Sequence, residues 1–434
     1  MHAARALALL LLLAPSAGAA TFSYEIIRPN VIWHPSLAID AGGDAHLTCY
    51  FIDSYGNPGV GYSSRHQGAW TNELVAPLIV YSTALALDPS GHPGVAYYTS
   101  VNAQPFLAER SGGGWTSVPV DAVSDQGGTM SVAYDAGGVP HVAYPWRGKL
   151  KHAWRESGTW STEVIDPALG SDTYPGTSIG VDPLGRIGVS YHRGTTLVLA
   201  RRGAQGWVLQ TVPGAVAYVG TSLAFDSQGF ARFTYSESSG LRLASETSNG
   251  FVTESIDPNG GVASLAIDAA GDPHVAYYDG PGGRAIDSRR AAGVWTKDVV
   301  DDRFRSGQEI AMALDPSGRT EIAYTFKGYT GGDLRFALAA APVGVGDMTA
   351  SLEFAPPAPN PGRALVLAFE LPIACDVSFA VYDARGRLLA TRPAQRFEAG
   401  RNAARWEPSL QAGTYFLRLT TSTGERVVQR WTRL

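Results

Sequence analysis

Seven aspartates recur along this chain at a near-constant interval. They are Asp40, Asp88, Asp135, Asp182, Asp226, Asp268 and Asp315, spaced by 48, 47, 47, 44, 42 and 47 residues. Carboxylates in a repeated array could gather a metal ion or exchange protons with a substrate. Their surroundings argue for a different task. A glycine stands three residues after each one: Gly43, Gly91, Gly138, Gly185, Gly229, Gly271 and Gly318. Aspartate accepts hydrogen bonds from backbone N–H groups a few residues on, and glycine takes a positive φ freely, so Asp-x-x-Gly is a tight turn. A calcium loop would set several oxygen ligands close together, as in Asp-x-Asp-x-Asp, and none occurs. His46, His141 and His274 share one place, six residues after the aspartate, where other units carry Gly94, Gly188, Arg232 and Glu321. Three histidines from one repeat position could meet only near an axis of the array. This position lies on a second strand, off that axis, so structural histidines are expected and no metal ligand is assigned. There is no His-Glu-x-x-His, no Gly-x-Ser-x-Gly and no phosphate loop. No catalytic residue and no cofactor are assigned.

The elements that hold these residues follow from the repeat. Ser36-Leu37-Ala38-Ile39-Asp40 alternates small and large apolar residues, which is a strand. The turn comes next, then a second strand such as His141-Val142-Ala143-Tyr144. Nine residues after the aspartate stands a tyrosine in six units: Tyr97, Tyr144, Tyr191, Tyr235, Tyr277 and Tyr324, with Cys49 in the first. A third strand resembles Leu150–Trp154. A fourth begins at an aromatic and runs Trp160–Asp166. Trp70, Trp115, Trp160, Trp207 and Trp295 recur at its start, so they read as packing. Four strands in 42 to 48 residues is the size of a β-propeller blade. The seventh unit stops after Ala339 without its fourth strand. Phe22-Ser23-Tyr24-Glu25-Ile26-Ile27 matches Trp160-Ser161-Thr162-Glu163-Val164-Ile165 and supplies it. The expected fold is therefore all-β: a seven-bladed propeller closed by its N-terminal strand, with no open radial edge.

Composition sets the compartment. His2 and Arg5 precede an apolar run from Ala6 to Ala14, and Ala17 and Ala19 fit the small-residue rule of signal peptidase. Residues 1–19 are expected to be a signal peptide, with the propeller over 20–341. The apolar run is too short to span a bilayer, and no later stretch is long enough, so the mature chain is expected to have no transmembrane segment. The net charge of −5 gives no support for nucleic-acid binding. The two cysteines, Cys49 and Cys375, fall in different predicted domains and read as buried hydrophobes.

After Ala341 the composition changes. Residues 342–361 form a predicted linker, ending in Ala355-Pro356-Pro357-Ala358-Pro359-Asn360-Pro361. Residues 362–434 again alternate, with Asp383-Ala384-Arg385-Gly386 as a hairpin turn. Some seven short strands in about 75 residues predict a small β-sandwich. Pro359-Asn360-Pro361, Phe369-Glu370-Leu371-Pro372, Val381–Gly386, Ala399-Gly400, Trp406 and Gly413–Leu419 carry a resemblance. Together they resemble the FlgD-like immunoglobulin fold and the type A C-terminal sorting domain of the type IX secretion system. Many members have phenylalanine after Asn-Pro-type openings, where this chain has Gly362. The resemblance implies passage across a bacterial outer membrane, with the export machinery as a partner and a secreted or surface location reached through the periplasm. The propeller units look like the His-Val-Ala-Tyr-Tyr-Asp repeats of bacterial exported proteins. More distantly they are similar to sialidase-type and lectin-type propellers, although the Ser-x-Asp-x-Gly-x-x-Trp turn of the former is missing.

Loops from strand four to the next blade, and from strand two to three, should share one face. They carry Trp33, Tyr55, Tyr81, Trp146, Tyr174, Tyr218, Phe304 and Tyr329, together with Arg147, His192, Arg193, Arg303 and Arg305. Aromatic faces stack on sugar rings while guanidinium and hydroxyl groups bond their edges. The leading expectation is a binding protein, acting as a monomer, that takes an extracellular glycan or protein ligand. Two alternatives stand beside it: a sialidase-like glycoside hydrolase or lyase acting in the axial funnel, and a structural spacer in a surface layer.

Overall fold

The computed structural model describes residues 22–100, 102–122, 128–170, 176–303, 305–328, 331–340, 353–354, 365–371, 375–383, 385–397, 400–422 and 426–433. The expected signal peptide lies outside them. The chain divides between Ala340 and Ala341 into two compact units.

The first unit is seven four-stranded antiparallel sheets, each one sequence repeat. Blade one comprises Val31–Ile39, Ala45–Ile52, Pro58–His66 and Ala69–Ala76. Blades two to six begin at inner strands Val80–Leu87, Ser131–Tyr134, Ser178–Val181, Val219–Phe225 and Gly260–Ile267. Each inner strand touches the next, and Ser306–Leu314 of blade seven returns against Val31–Ile39, so the ring closes. Its outer strand is Phe22–Pro29, which pairs with Gly331–Ala339 so that Phe22 faces Ala339 and Glu25 faces Phe336. Second strands such as Pro140–Trp146 are buried on both faces, because each lies between two neighbouring sheets. Outer strands such as Thr159–Asp166 alternate, because they have a neighbour on the inside only.

All seven repeat aspartates close their turns as the sequence predicts. In each, Oδ1 accepts N–H bonds from the second and fourth residues on, as from Gly42 and Asp44 to Asp40, at 2.8 and 2.9 Å. The other six repeat the pattern.

Successive blades are stitched at three radii. Around the axis, serine hydroxyls accept an inner-strand N–H of the next blade. Leu85 donates to Ser36, Ile179 to Ser131, Leu223 to Ser178, Leu265 to Ser222 and Met312 to Ser264, at 2.9–3.1 Å. At mid-radius the recurrent tyrosine donates to an aspartate closing the fourth strand of the preceding blade. The pairs are Tyr144–Asp121, Tyr191–Asp166, Tyr277–Asp257 and Tyr324–Asp301, at 2.7, 2.7, 2.5 and 2.9 Å. Each aspartate also meets a cation: Lys151, Arg193, Lys297 and Arg303 in turn. At the rim the fourth-strand tryptophan bonds a glutamate of the preceding blade: Trp70 to Glu25, Trp115 to Glu73 and Trp207 to Glu163.

The second unit is a two-sheet sandwich. Glu353–Phe354, Leu365–Leu371 and Gly400–Trp406 form one sheet; Leu388–Phe397, Cys375–Tyr382, Gly413–Thr421 and Arg426–Arg433 form the other. Phe354, Leu367, Phe369, Phe379, Leu417 and Trp431 share its core. The predicted linker therefore needs correction. Phe354 lies within it, yet this side chain is buried in the sandwich, because the residue pairs with Phe369.

Tyr191→Phe should cost about 1–3 kcal/mol in urea unfolding, since it strips a bond from the fully buried Asp166. Tyr97→Phe should cost less, because Tyr97 packs in a cluster with Ala76, the residue in register with those aspartates. Equal losses would show that the tyrosine–aspartate bond is not the source.

Candidate functional site: the axial mouth and its rim

Each inner strand runs from the rim of one face to the Asp-x-x-Gly turn on the other. The starts of these strands surround a cavity of about 290 Å³ on the face opposite the turns. All seven blades contribute. The lining is Ser36, Ser82, Thr83, Thr129, Thr177, Thr221, Ser222 and Ser264, with Met130, Ile310 and Met312 behind them. Among the described lining residues there is no lysine, arginine, aspartate or glutamate. His34 stands at the edge, with Nδ1 4.0 Å from Glu309 Oε2. Its φ is +61°, although it precedes Pro35, a conformation disfavoured for such a residue. The Thr83 hydroxyl helps to hold it there by donating to the His34 carbonyl at 2.7 Å. Gly176 and Gly220 meet back to back, where a Cβ on Gly176 would fall 2.1 Å from the Gly220 Cα.

The rim carries the residues expected from sequence, in unequal roles. Trp33 is 45% exposed and stacks on Tyr50 with ring centroids 6.3 Å apart. It belongs to the first strand of blade one rather than to a loop. Tyr55 is 89% exposed in the hairpin between strands two and three, and Tyr218 is 56% exposed between blades four and five. Trp146 is half-buried under Arg147, Lys149 and Lys151, which lie 5.6, 5.7 and 5.0 Å from its ring. Arg147 turns that hairpin with a φ of +45°. Arg305 is exposed. Arg193 and Arg303 are drawn inward to Asp166 and Asp301. His192 departs from the expectation of an exposed donor: it is 5% exposed, and Nδ1 bonds the Gly194 carbonyl at 2.9 Å. Tyr81 falls in the first strand of blade two. Tyr174, Phe304 and Tyr329 lie outside the described residues.

The shared histidine position serves the opposite face. His46, His141 and His274 approach Asp40, Asp135 and Asp268 at 3.5, 3.6 and 3.4 Å, and Arg232 reaches Asp226 at 3.2 Å. Burial lowers the pKa of all three histidines, with those aspartates opposing. His141 passes on to His152 at 3.1 Å and His152 to Glu163 at 2.9 Å. Burial brings His152 down to about 4. Blade seven is the exception, for Glu321 occupies this place beside Asp315. Burial pushes its carboxyl up to about 7, opposed by Arg319 and reinforced by Asp315. No described group of three or more His, Cys, Asp or Glu residues is arranged to hold a metal ion.

Two features escaped the sequence analysis. One is the set of aspartates closing the fourth strands, legible as an acid at the end of Val-Pro-Val-Asp, Val-Ile-Asp, Ser-Ile-Asp and Val-Val-Asp. The other is the hydroxyl lining, whose signal was the serine that opens most first strands.

No family model matches this chain, and no curated protein matches it. Solved structures do. A catalytically inactive virginiamycin B lyase from Staphylococcus aureus, with quinupristin, superposes with a TM-score of 0.52 at 10% identity. The match covers 73% of this chain and 99% of that one. A streptogramin B lyase gives 0.52 at 12% identity, covering 74% and 98%. The polysaccharide lyase Uly1 gives 0.48 at 10% identity, covering 71% and 89%. The class defined by the topology and by the first two matches is the β-propeller.

Glu321 makes stability depend on pH. Its native pKa is raised, so its contribution is complete below the ordinary carboxylate range and is lost as pH rises through about 7. Glu321→Gln should flatten the fall in Tm between pH 4 and 7. An unchanged slope would place the dependence elsewhere.

Proposed function

We propose that this chain is an exported, non-catalytic binding protein whose propeller presents the axial mouth and its rim to an extracellular glycan or protein ligand. The observation that carries this is the exposure of Trp33, Tyr55 and Tyr218 on the face where the cavity opens. Exposed aromatics bring large contact area at low entropic cost, and they stack on sugars and peptides alike. A hydrolase or lyase in the axial funnel has weaker support. The described lining brings together hydroxyls and methionines rather than a pair of carboxylates or an arginine cluster. The likeness to lyases, at 10–12% identity, concerns the fold.

The C-terminal sandwich serves export in this reading, supported by the motifs it shares with type A sorting domains and by its separate core. The leader-like N-terminus fits the same route. No helix among the described residues is long and apolar enough to cross a membrane.

The mature chain on a glycan array and against surface-protein extracts should show a ligand whose binding falls at least tenfold in Trp33→Ala and Tyr218→Ala. Binding indifferent to both variants would remove this face from the site. Deleting residues 342–434 should leave the propeller folded by circular dichroism and hold it in the periplasm. Arrival of the truncated chain at the surface would overturn the sorting role.

A further inference from the structure

The axial mouth has a distinctive hydrogen-bond balance. Ser36, Ser222 and Ser264 each accept a backbone N–H of the next blade, at 3.0–3.1 Å, and Thr129 accepts one at 3.4 Å. A hydroxyl that accepts still owns its proton. These four residues are partly exposed and line the cavity, and none of their protons is committed to another group among the bonds described. Thr177 adds a fifth hydroxyl. It lines the cavity, is more than nine-tenths buried, and its Oγ1 has no hydrogen-bond partner in the protein. Blades one, three, four, five and six thus supply a ring of donors around one axis.

Two classes of ligand fit this ring poorly. A charged group would give up its hydration with no opposite charge in the described lining to replace it. A purely apolar group would bury the hydroxyls with nothing to bond. An uncharged ligand rich in oxygen acceptors satisfies the donors and needs no charged partner from the lining, whose apolar Met130, Ile310 and Met312 are largely buried between blades. Gly176 and Gly220 pack backbone to backbone in the wall between blades four and five, so neither projects a side chain there. The cavity, about 290 Å³, suits one or two rings and not a long chain.

We infer that the axial mouth takes the terminal unit of an uncharged oligosaccharide, bonded by this hydroxyl ring and stacked at the rim by Trp33. The inference rests on the binding reading above and gives it a ligand class.

Two variants probe the mouth without disturbing the blades. A Cβ on Gly220 meets only the Gly176 Cα, at 3.4 Å, so Gly220→Leu should add bulk at the opening, with circular dichroism and Tm checking that the variant folds. Thr177→Val removes a hydroxyl that bonds nothing in the protein. Titration calorimetry on the mature chain would use uncharged gluco-, manno-, galacto- and N-acetylglucosamine trisaccharides beside counterparts ending in a uronate or a sialic acid. At least one uncharged sugar should bind, with its acidic counterpart at least tenfold weaker. Gly220→Leu should abolish that binding and Thr177→Val should weaken it about fivefold. Equal or tighter binding of the acidic sugars overturns the inference. So does uncharged-sugar binding that survives Gly220→Leu. If in either case Trp33→Ala still weakens binding, the rim reading stands and only the axial assignment falls. Binding of no sugar on the panel overturns the inference as well, and leaves the rim to be judged on its protein ligand.

Discussion

A propeller blade is a sheet that cannot stand alone. Its second and third strands are largely buried, so each blade exists only as the filling between two others. The hydroxyl of a buried tyrosine, held by an aspartate of the preceding blade, fixes that relationship at mid-radius. An apolar face can slide over another at little cost, whereas a buried phenol–carboxylate bond has one geometry. The carboxylate is in turn balanced by a lysine or an arginine, so the charge on each of these four aspartates is compensated. Serines at the axis and tryptophans at the rim repeat the logic at smaller and larger radius. All three bonds operate between blades three and four, and the other neighbours share one or two of them; the ring that results has an opening lined by residues from every blade.

The fold was legible because the sequence repeats it. Asp-x-x-Gly turns, alternating strands and a split last unit translate directly into sheets, a ring and a closing strand. The sandwich was legible from its alternation, except at its edge. Glu353–Phe354 is too short to show a period and is embedded among prolines and small residues, so it read as linker. The site was less legible. Nothing local in the sequence marks Arg193 and Arg303 as the arginines that turn inward to an aspartate. Burial of His192 follows from its place within a second strand, where both faces are covered. The hydroxyl ring was hidden for another reason: serine at the axis is what close packing requires, and its unspent proton appears only once the partners of each hydroxyl are counted.

Polar groups in this molecule therefore fall into two kinds. The repeat aspartates on the face of the Asp-x-x-Gly turns are committed. The aspartates hold backbone N–H groups, and histidine or arginine holds the aspartates in blades one, three, five and six. Against some cost of burial, the N–H groups of Asp44 and Gly42 keep Asp40 below the usual carboxylate range. At the opposite mouth, hydroxyl donors remain uncommitted. The asymmetry separates a face built for rigidity from one with capacity to bond something else.

The closing strand has a kinetic consequence. Phe22–Pro29 can find its partner, Gly331–Ala339, only after every intervening blade has been made. The pair thus carries a contact separation close to the whole length of the array, and such pairings form late. Until then the strand's apolar positions, Ile26 and Ile27 among them, have no sheet to join. A chain threaded through a membrane N-terminus first would deliver this strand at the start and need it at the end. Ring closure is thus a late step fixed by the order of the sequence, and a finished ring records that every blade of the array has formed.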